Sequence, residues 1–187
     1  WGLSDDPLDP FRWTFPASQI LPDEYMLVYA SGEDRRAFLP ERITVLGIGD
    51  PWRYLEPTAE PPSNWRQPNF DDSSWLEGPA GFGKDDGDDS TTLQGDVIFL
   101  RKSLQLNQTT IDSIVTLDFH IDFDDGYALY LNGQEIGRKY LGDRFNLTPF
   151  DAYASASHEA MLYRHKGVSG IRIDNPADYL VAGLNTV

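Results

Sequence analysis

Asp85-Asp86-Gly87-Asp88-Asp89 places four carboxylates around one glycine, the densest cluster of chemistry-bearing side chains in this sequence. Calcium takes about six to eight oxygens from carboxylates and carbonyls, and a divalent cation would relieve the repulsion among these like charges. The alternate ligands and distal glutamate of an EF-hand loop are missing. The segment therefore reads either as a structural calcium site built from Asp85, Asp86, Asp88 and Asp89, or as a solvated acidic loop. Asp122, Asp124 and Asp125 form a second cluster. Paired carboxylates act as general acid and base when their pKa values are driven apart. Adjacent strand residues point to opposite faces, however, so Asp124 and Asp125 are expected to brace a turn before Gly126 rather than share a proton.

Aromatic faces suit the apolar face of a pyranose ring, which brings Trp52, Trp65, Trp75, Tyr54 and Tyr127 into consideration. Trp52 and Trp75 are expected as core plugs. Trp65 lies in a proline-rich loop, where burial is harder, and is the expected exposed platform for a sugar; Tyr140 and, more weakly, Tyr153 are secondary candidates. Catalysis finds little support. His120, His158 and His165 lack metal-ligand spacing, and there is no Gly-x-Ser-x-Gly elbow and no phosphate-cradling glycine loop. Asn107-Gln108-Thr109 and Asn146-Leu147-Thr148 match the glycosylation pattern, which matters only in a host that glycosylates.

The elements that must hold these residues read as strands. Ile114 through Phe123 alternates, with Val115, Leu117, Phe119, Ile121 and Phe123 on one face and Thr116, Asp118, His120 and Asp122 on the other. Tyr127 through Leu131 continues the period of two, and Asn132-Gly133 offers the two residues that tolerate positive φ in a type I′ hairpin turn. Strands are also expected at Tyr25–Ala30, Ile43–Ile48, Trp52–Leu55, Val97–Lys102, Ile171–Ile173 and Tyr179–Val181. Residues 57–68, with four prolines, form a loop, and Phe70-Asp71-Asp72-Ser73-Ser74-Trp75 a compact turn with Asx-type bonds. Ala152 to Leu162 is the one stretch expected to make a helical turn or two. Short strands separated by Gly/Pro turns argue for an all-β sandwich.

The 187 residues contain 30 acidic and 15 basic side chains, for a formal net charge of −15, and no cysteine. Such a surface repels nucleic acid and anionic lipid, leaving cations, neutral sugars and basic protein patches as partners. Disulfides and thiolate metal sites are excluded. No run approaches the ~20 apolar residues of a membrane span, so membrane insertion is not expected.

Two families resemble parts of the chain. Residues 1–40 resemble the C-terminal part of a lamin-tail domain, an immunoglobulin-like sandwich. The carriers are Trp1-Gly2-Leu3-Ser4-Asp5-Asp6, Trp13-Thr14-Phe15-Pro16, Ile20-Leu21-Pro22 and Tyr25 through Gly32. Residues 41–187 resemble a galactose-binding-like jelly-roll module. Its matching elements are Trp52-Arg53-Tyr54, Asn64-Trp65, Phe70 through Trp75, Gly78 through Gly83, Phe99 through Lys102, the Asp124-Asp125-Gly126 hairpin and Gly183 through Val187. In such modules these acids sit in a structural turn. The resemblance implies a secreted or cell-surface bacterial parent, in which the module accompanies lamin-tail, CotH-type kinase or phosphoesterase domains. It also implies an internal fragment, short of the first half of one domain and the last strand of the other. The function it implies is that of a non-catalytic accessory module that binds carbohydrate weakly or docks on neighbouring domains. The alternative is an accessory region of an enzyme whose catalytic domain lies elsewhere.

Overall fold

A computed structural model describes residues 2–3, 8, 13–14, 42–84, 87, 89–160 and 169–187. The chain divides into two compact units, Trp1–Pro40 and Glu41–Val187. Within the first, β1 (Gly2–Leu3) pairs antiparallel with β2 (Trp13–Thr14). The strand expected at Tyr25–Ala30 lies outside the described residues.

The second unit is all-β apart from one six-residue helix and a single 3-10 turn among its described residues. Its strands are β3 (Pro51–Leu55), β4 (Leu76–Pro79), β5 (Phe82–Gly83), β6 (Thr91–Thr92), β7 (Phe99–Arg101), β8 (Ser103–Leu106), β9 (Leu117–Ile121), β10 (Tyr127–Leu131), β11 (Gln134–Lys139), β12 (Ser169–Ile173) and β13 (Gly183–Thr186). An antiparallel sheet runs in the order β4-β3-β7, and three antiparallel ladders pair β8 with β13, β9 with β12 and β10 with β11. The short β5–β6 pair is parallel. Ile111, Leu131, Ile136, Ile173, Leu180 and Val187 form the buried core, with Trp52, Leu104, Leu117, Phe119 and Leu129 packed around them. The core thus draws on the helix, on three of the ladder strands (β10, β11 and β12), and on Leu180 and Val187. Trp75 is buried and Trp52 half-buried, as their contexts implied.

The hairpin carries the geometry its sequence encodes. Leu131 pairs with Gln134 across a two-residue turn, and Asn132 and Gly133 take φ of 51° and 83°. Those signs define a type I′ turn, whose twist matches that of the flanking strands. Gly137 allows a close approach further along β11: a Cβ there would collide with the end of the Ile171 side chain on β12.

Several local expectations differ from the observed structure. Ile43–Ile48 is not a strand. The Asp50 carboxylate accepts the Gly47 N–H at 2.9 Å and the Asp50 N–H reaches the Gly47 carbonyl at 3.3 Å, so local turn bonds displace a ladder there. Val115 is exposed because β9 begins only at Leu117; the preceding residues cap the helix α1 (Gln108–Ser113). That helix was not foreseen, although Asn107 is a standard N-cap whose side chain accepts the Thr110 N–H at 2.8 Å. The described residues 152–160 form no helix; there the Ser155 N–H bonds the Tyr140 carbonyl instead. Tyr179–Val181 follows a 3-10 turn at Pro176–Asp178 and is irregular, with Leu180 turned into the core. No helix among the described residues is long and apolar enough to cross a membrane.

Candidate functional site

The feature that organises the most distinctive surface of the second unit is a β-bulge. Leu129 pairs with Gly137, yet the next residue, Tyr130, pairs with Glu135, so Ile136 is the extra residue of β11. In a regular strand, side chains three apart point to opposite faces. The bulge resets that alternation and brings Glu135 and Arg138 together. Arg138 Nε donates to Glu135 Oε1 at 3.0 Å and Arg138 Nη2 to Glu135 Oε2 at 2.9 Å, with the two side chains only 3% and 4% exposed. Burial raises the Glu135 pKa, but the Arg138 hydrogen bonds, the Phe145 amide and the charges of Arg138 and Arg144 outweigh it, holding the carboxyl below its ordinary value. Hydrogen bonding to Glu135 correspondingly raises the Arg138 pKa against the effect of burial.

This pair anchors the loop that follows β11. Arg138 donates to the carbonyls of Leu141 (2.6 Å) and Asn146 (2.9 Å), to the Thr148 hydroxyl, and to the Tyr130 hydroxyl at 3.3 Å. Glu135 Oε2 accepts the Phe145 N–H at 2.9 Å. Arg144 reinforces the anchor, its Nη2 donating to the carbonyls of Glu135 at 3.2 Å and Ile136 at 3.0 Å. Held in this way, Phe145 adopts φ of 68°, a left-handed conformation that costs a non-glycine residue about 1–2 kcal/mol. The residue is nevertheless 74% exposed. The fold therefore holds an apolar ring in water on a backbone it would not choose by itself.

Between the hairpin and this loop lies an open groove of about 510 Å³. Tyr130, Phe145 and Tyr179 contribute aromatic surface; Arg66, Arg144 and Gln134 contribute donors. The Arg66 guanidinium sits 4.7 Å from the Tyr130 ring centroid and 5.9 Å from that of Trp65, and the Arg144 guanidinium 4.9 Å from that of Phe145. Contacts of this kind restrain the cations without consuming their N–H groups. A neighbouring groove of about 630 Å³ contains Arg172, Asp174 and Asp178, but Arg172 is paired with Asp174 at 3.2 Å and Asp118 at 3.8 Å.

The residues singled out in the sequence occupy separate places. Trp65, expected as an exposed platform, is half-buried: its ring meets Phe99 at 4.9 Å, Tyr130 at 5.9 Å and Trp75 at 6.3 Å, and its carbonyl accepts a bond from Arg101. The groove is lined by its neighbour Arg66 instead. Tyr140 belongs to a different cluster, with Phe123 and His158 each 6.4 Å away. Tyr153 is 78% exposed. Of the acidic run, Asp85, Asp86 and Asp88 lie outside the described residues, as does His165, and Asp89 is half-buried. No group of three or more potential metal ligands occurs among the described residues. Asp125 braces its turn through a distant segment: its Oδ1 accepts the His158 N–H at 2.9 Å while its own N–H donates to the His158 carbonyl at 2.7 Å. His158 in turn stacks on Phe123 with ring centroids 4.0 Å apart. Asp71 makes the expected Asx bond to the Ser73 N–H at 3.0 Å, whereas Asp72 pairs with Arg101.

Sequence reasoning missed the groove because the bulge that builds it breaks the period on which strand reading depends. Gly137, a glycine inside a strand, was the available signal. Comparison with protein-family models, with curated proteins and with solved structures gave no match.

Proposed function

We propose that residues 41–187 form a non-catalytic binding module of jelly-roll type that takes carbohydrate in the groove between the β10–β11 hairpin and the loop carrying Phe145. The observation that carries this reading is Phe145 itself. An exposed aromatic ring on a left-handed backbone, fixed by a buried ion pair, is a pre-set platform, and strained, over-determined residues cluster at ligand-binding places. Tyr130 and Tyr179 extend the aromatic surface, and the Gln134 amide and two guanidinium groups suit hydroxyl-rich ligands. The one carboxylate in the lining, Glu135, is ionised and saturated by Arg138 and the Phe145 amide, which suits it to architecture rather than proton transfer. A module of this kind fits a role as an accessory part of a larger secreted or cell-surface protein.

Glycan-array binding followed by calorimetry tests the proposal. Wild type is expected to bind a subset of glycans weakly, and Phe145→Ala to lose at least about fivefold in affinity with an unchanged melting temperature, since one stacking face is worth roughly 1 kcal/mol. Background signal for wild type across neutral and acidic glycans would overturn it.

A further inference from the structure

Resting on the carbohydrate reading of the same groove, we infer that its ligand is an anionic sugar, one whose carboxylate is received by Arg66 and Arg144. The chain carries a formal charge of −15, so cations without a carboxylate partner stand out. Among the described residues, Arg53, Lys84, Arg101, Arg138 and Arg172 have acidic partners within 4.0 Å; Arg42, Lys102 and Lys139 have none, and neither do Arg66 and Arg144. Of these five, Arg66 and Arg144 line this one groove. The one carboxylate of the lining, Glu135, is paired with Arg138 at 2.9 Å, so the groove keeps a net positive charge even though Arg144 also feels Glu135.

Their surroundings also favour capture. Arg66 is held over Tyr130, and Arg144 is fixed by two backbone carbonyls that occupy only Nη2. The remaining N–H groups of Arg144 and those of Arg66 are directional donors on restrained side chains. A planar carboxylate matches the guanidinium fork with two parallel hydrogen bonds. The chain's overall negative field repels small anions at long range, so charge alone does not retain them. A ligand must combine the anionic group with a face that stacks on Phe145 or Tyr130. A uronate-containing oligosaccharide does both.

The test is calorimetric titration of the full chain with oligogalacturonate and oligomannuronate, with their methyl esters, which keep the shape and remove the charge, and with a sulfated oligosaccharide of similar length. The acid form of at least one series is expected to bind about tenfold or more tightly than its ester, the scale of one or two charge-assisted hydrogen bonds. That preference is expected to shrink as salt is raised, a readout that needs no variant. Arg66→Gln and Arg144→Gln are each expected to lower the ratio of acid to ester affinity, whatever each does to the ester affinity itself. Sulfated-ligand binding without uronate binding would overturn the assignment of a carboxylate. Equal affinity for acid and ester would overturn the inference and leave the carbohydrate reading standing. Binding of none of these ligands nor of any arrayed glycan would overturn both.

Discussion

Glu135 Oε2 accepts the backbone N–H of Phe145 at 2.9 Å across ten residues of chain, so a buried carboxylate sets the backbone of an exposed aromatic residue. The same oxygen receives Arg138 Nη2, which makes the ion pair and the loop conformation one unit. Glu135→Gln keeps the side-chain shape but leaves the Arg138 guanidinium buried without its counter-charge. Breaking a buried pair from one side costs about 3–5 kcal/mol. Urea denaturation should show a loss of that order, and amide exchange at Phe145 should accelerate beyond the global change. An unchanged exchange rate at Phe145 would mean that the loop is held by something other than Glu135.

Acid should reach this pair late. The folded-state pKa of Glu135 lies below its ordinary value because the Arg138 bonds, the Phe145 amide and the two arginine charges together exceed the opposing effect of burial. A depressed carboxylate pKa contributes stability that is complete above the unfolded-state value, about 4.3 for glutamate. It is lost as pH falls through the lower folded-state value. Stability is therefore expected to hold from neutrality to roughly pH 4.5 and to fall below it. Glu135→Gln should flatten that acid limb. Asp71, whose pKa is lowered by the Ser73 hydroxyl and amide, titrates in the same direction but stands on the surface, so Asp71→Asn should change the limb much less.

Local chemistry was legible in the sequence wherever one residue type has one use. Asn132-Gly133 encodes its own turn, alternation placed Leu117, Phe119 and Ile121 toward the core, and Asp71 bonds the amide two residues on. Features that join distant segments were not legible. The pairing of Asp72 with Arg101 spans 29 residues, that of Asp125 with His158 spans 33, and no periodicity encodes either. The groove depended on a bulge that inverts the very pattern used to assign faces. Trp65 illustrates the same limit: proline content located its loop correctly, but only the aromatic neighbours Trp75, Phe99 and Tyr130 show that the loop folds back and half-buries the ring.

Arg101 is the side chain that fastens that loop. It is 1% exposed, its Nε donates to Asp72 at 2.8 Å, and its terminal nitrogens reach the carbonyls of Trp65 and Gln67. Its guanidinium carbon also lies 5.1 Å from the Phe70 ring centroid. Lysine carries the charge without the planar fork, so it cannot serve three acceptors in these directions. Arg101→Lys is expected to destabilise by about 2–3 kcal/mol and Arg101→Ala by about 3–5 kcal/mol. Both should red-shift tryptophan emission as Trp65 and Trp75 gain solvent. Equal stability of the lysine variant and wild type would show that charge alone, and not fork geometry, holds the loop.

Asn132 joins two roles that substitutions can separate. Its backbone occupies the left-handed region demanded by the turn, with φ of 51°. Its side chain ties the hairpin tip to the C-terminal strand: Oδ1 accepts the Thr186 N–H at 2.8 Å, while Nδ2 donates to Asn185 Oδ1 at 2.7 Å and to the Tyr179 carbonyl at 2.8 Å. Asn185 and Thr186 are both buried, so water replaces these bonds poorly. Glycine at 132 preserves the turn and removes the bridge, a loss expected near 2–3 kcal/mol. Alanine removes the bridge and adds the left-handed penalty, so Asn132→Ala should lie about 1 kcal/mol below Asn132→Gly. Denaturation midpoints of the two variants give the order directly. If alanine equals or exceeds glycine, the turn does not hold position 132 in the left-handed region in solution.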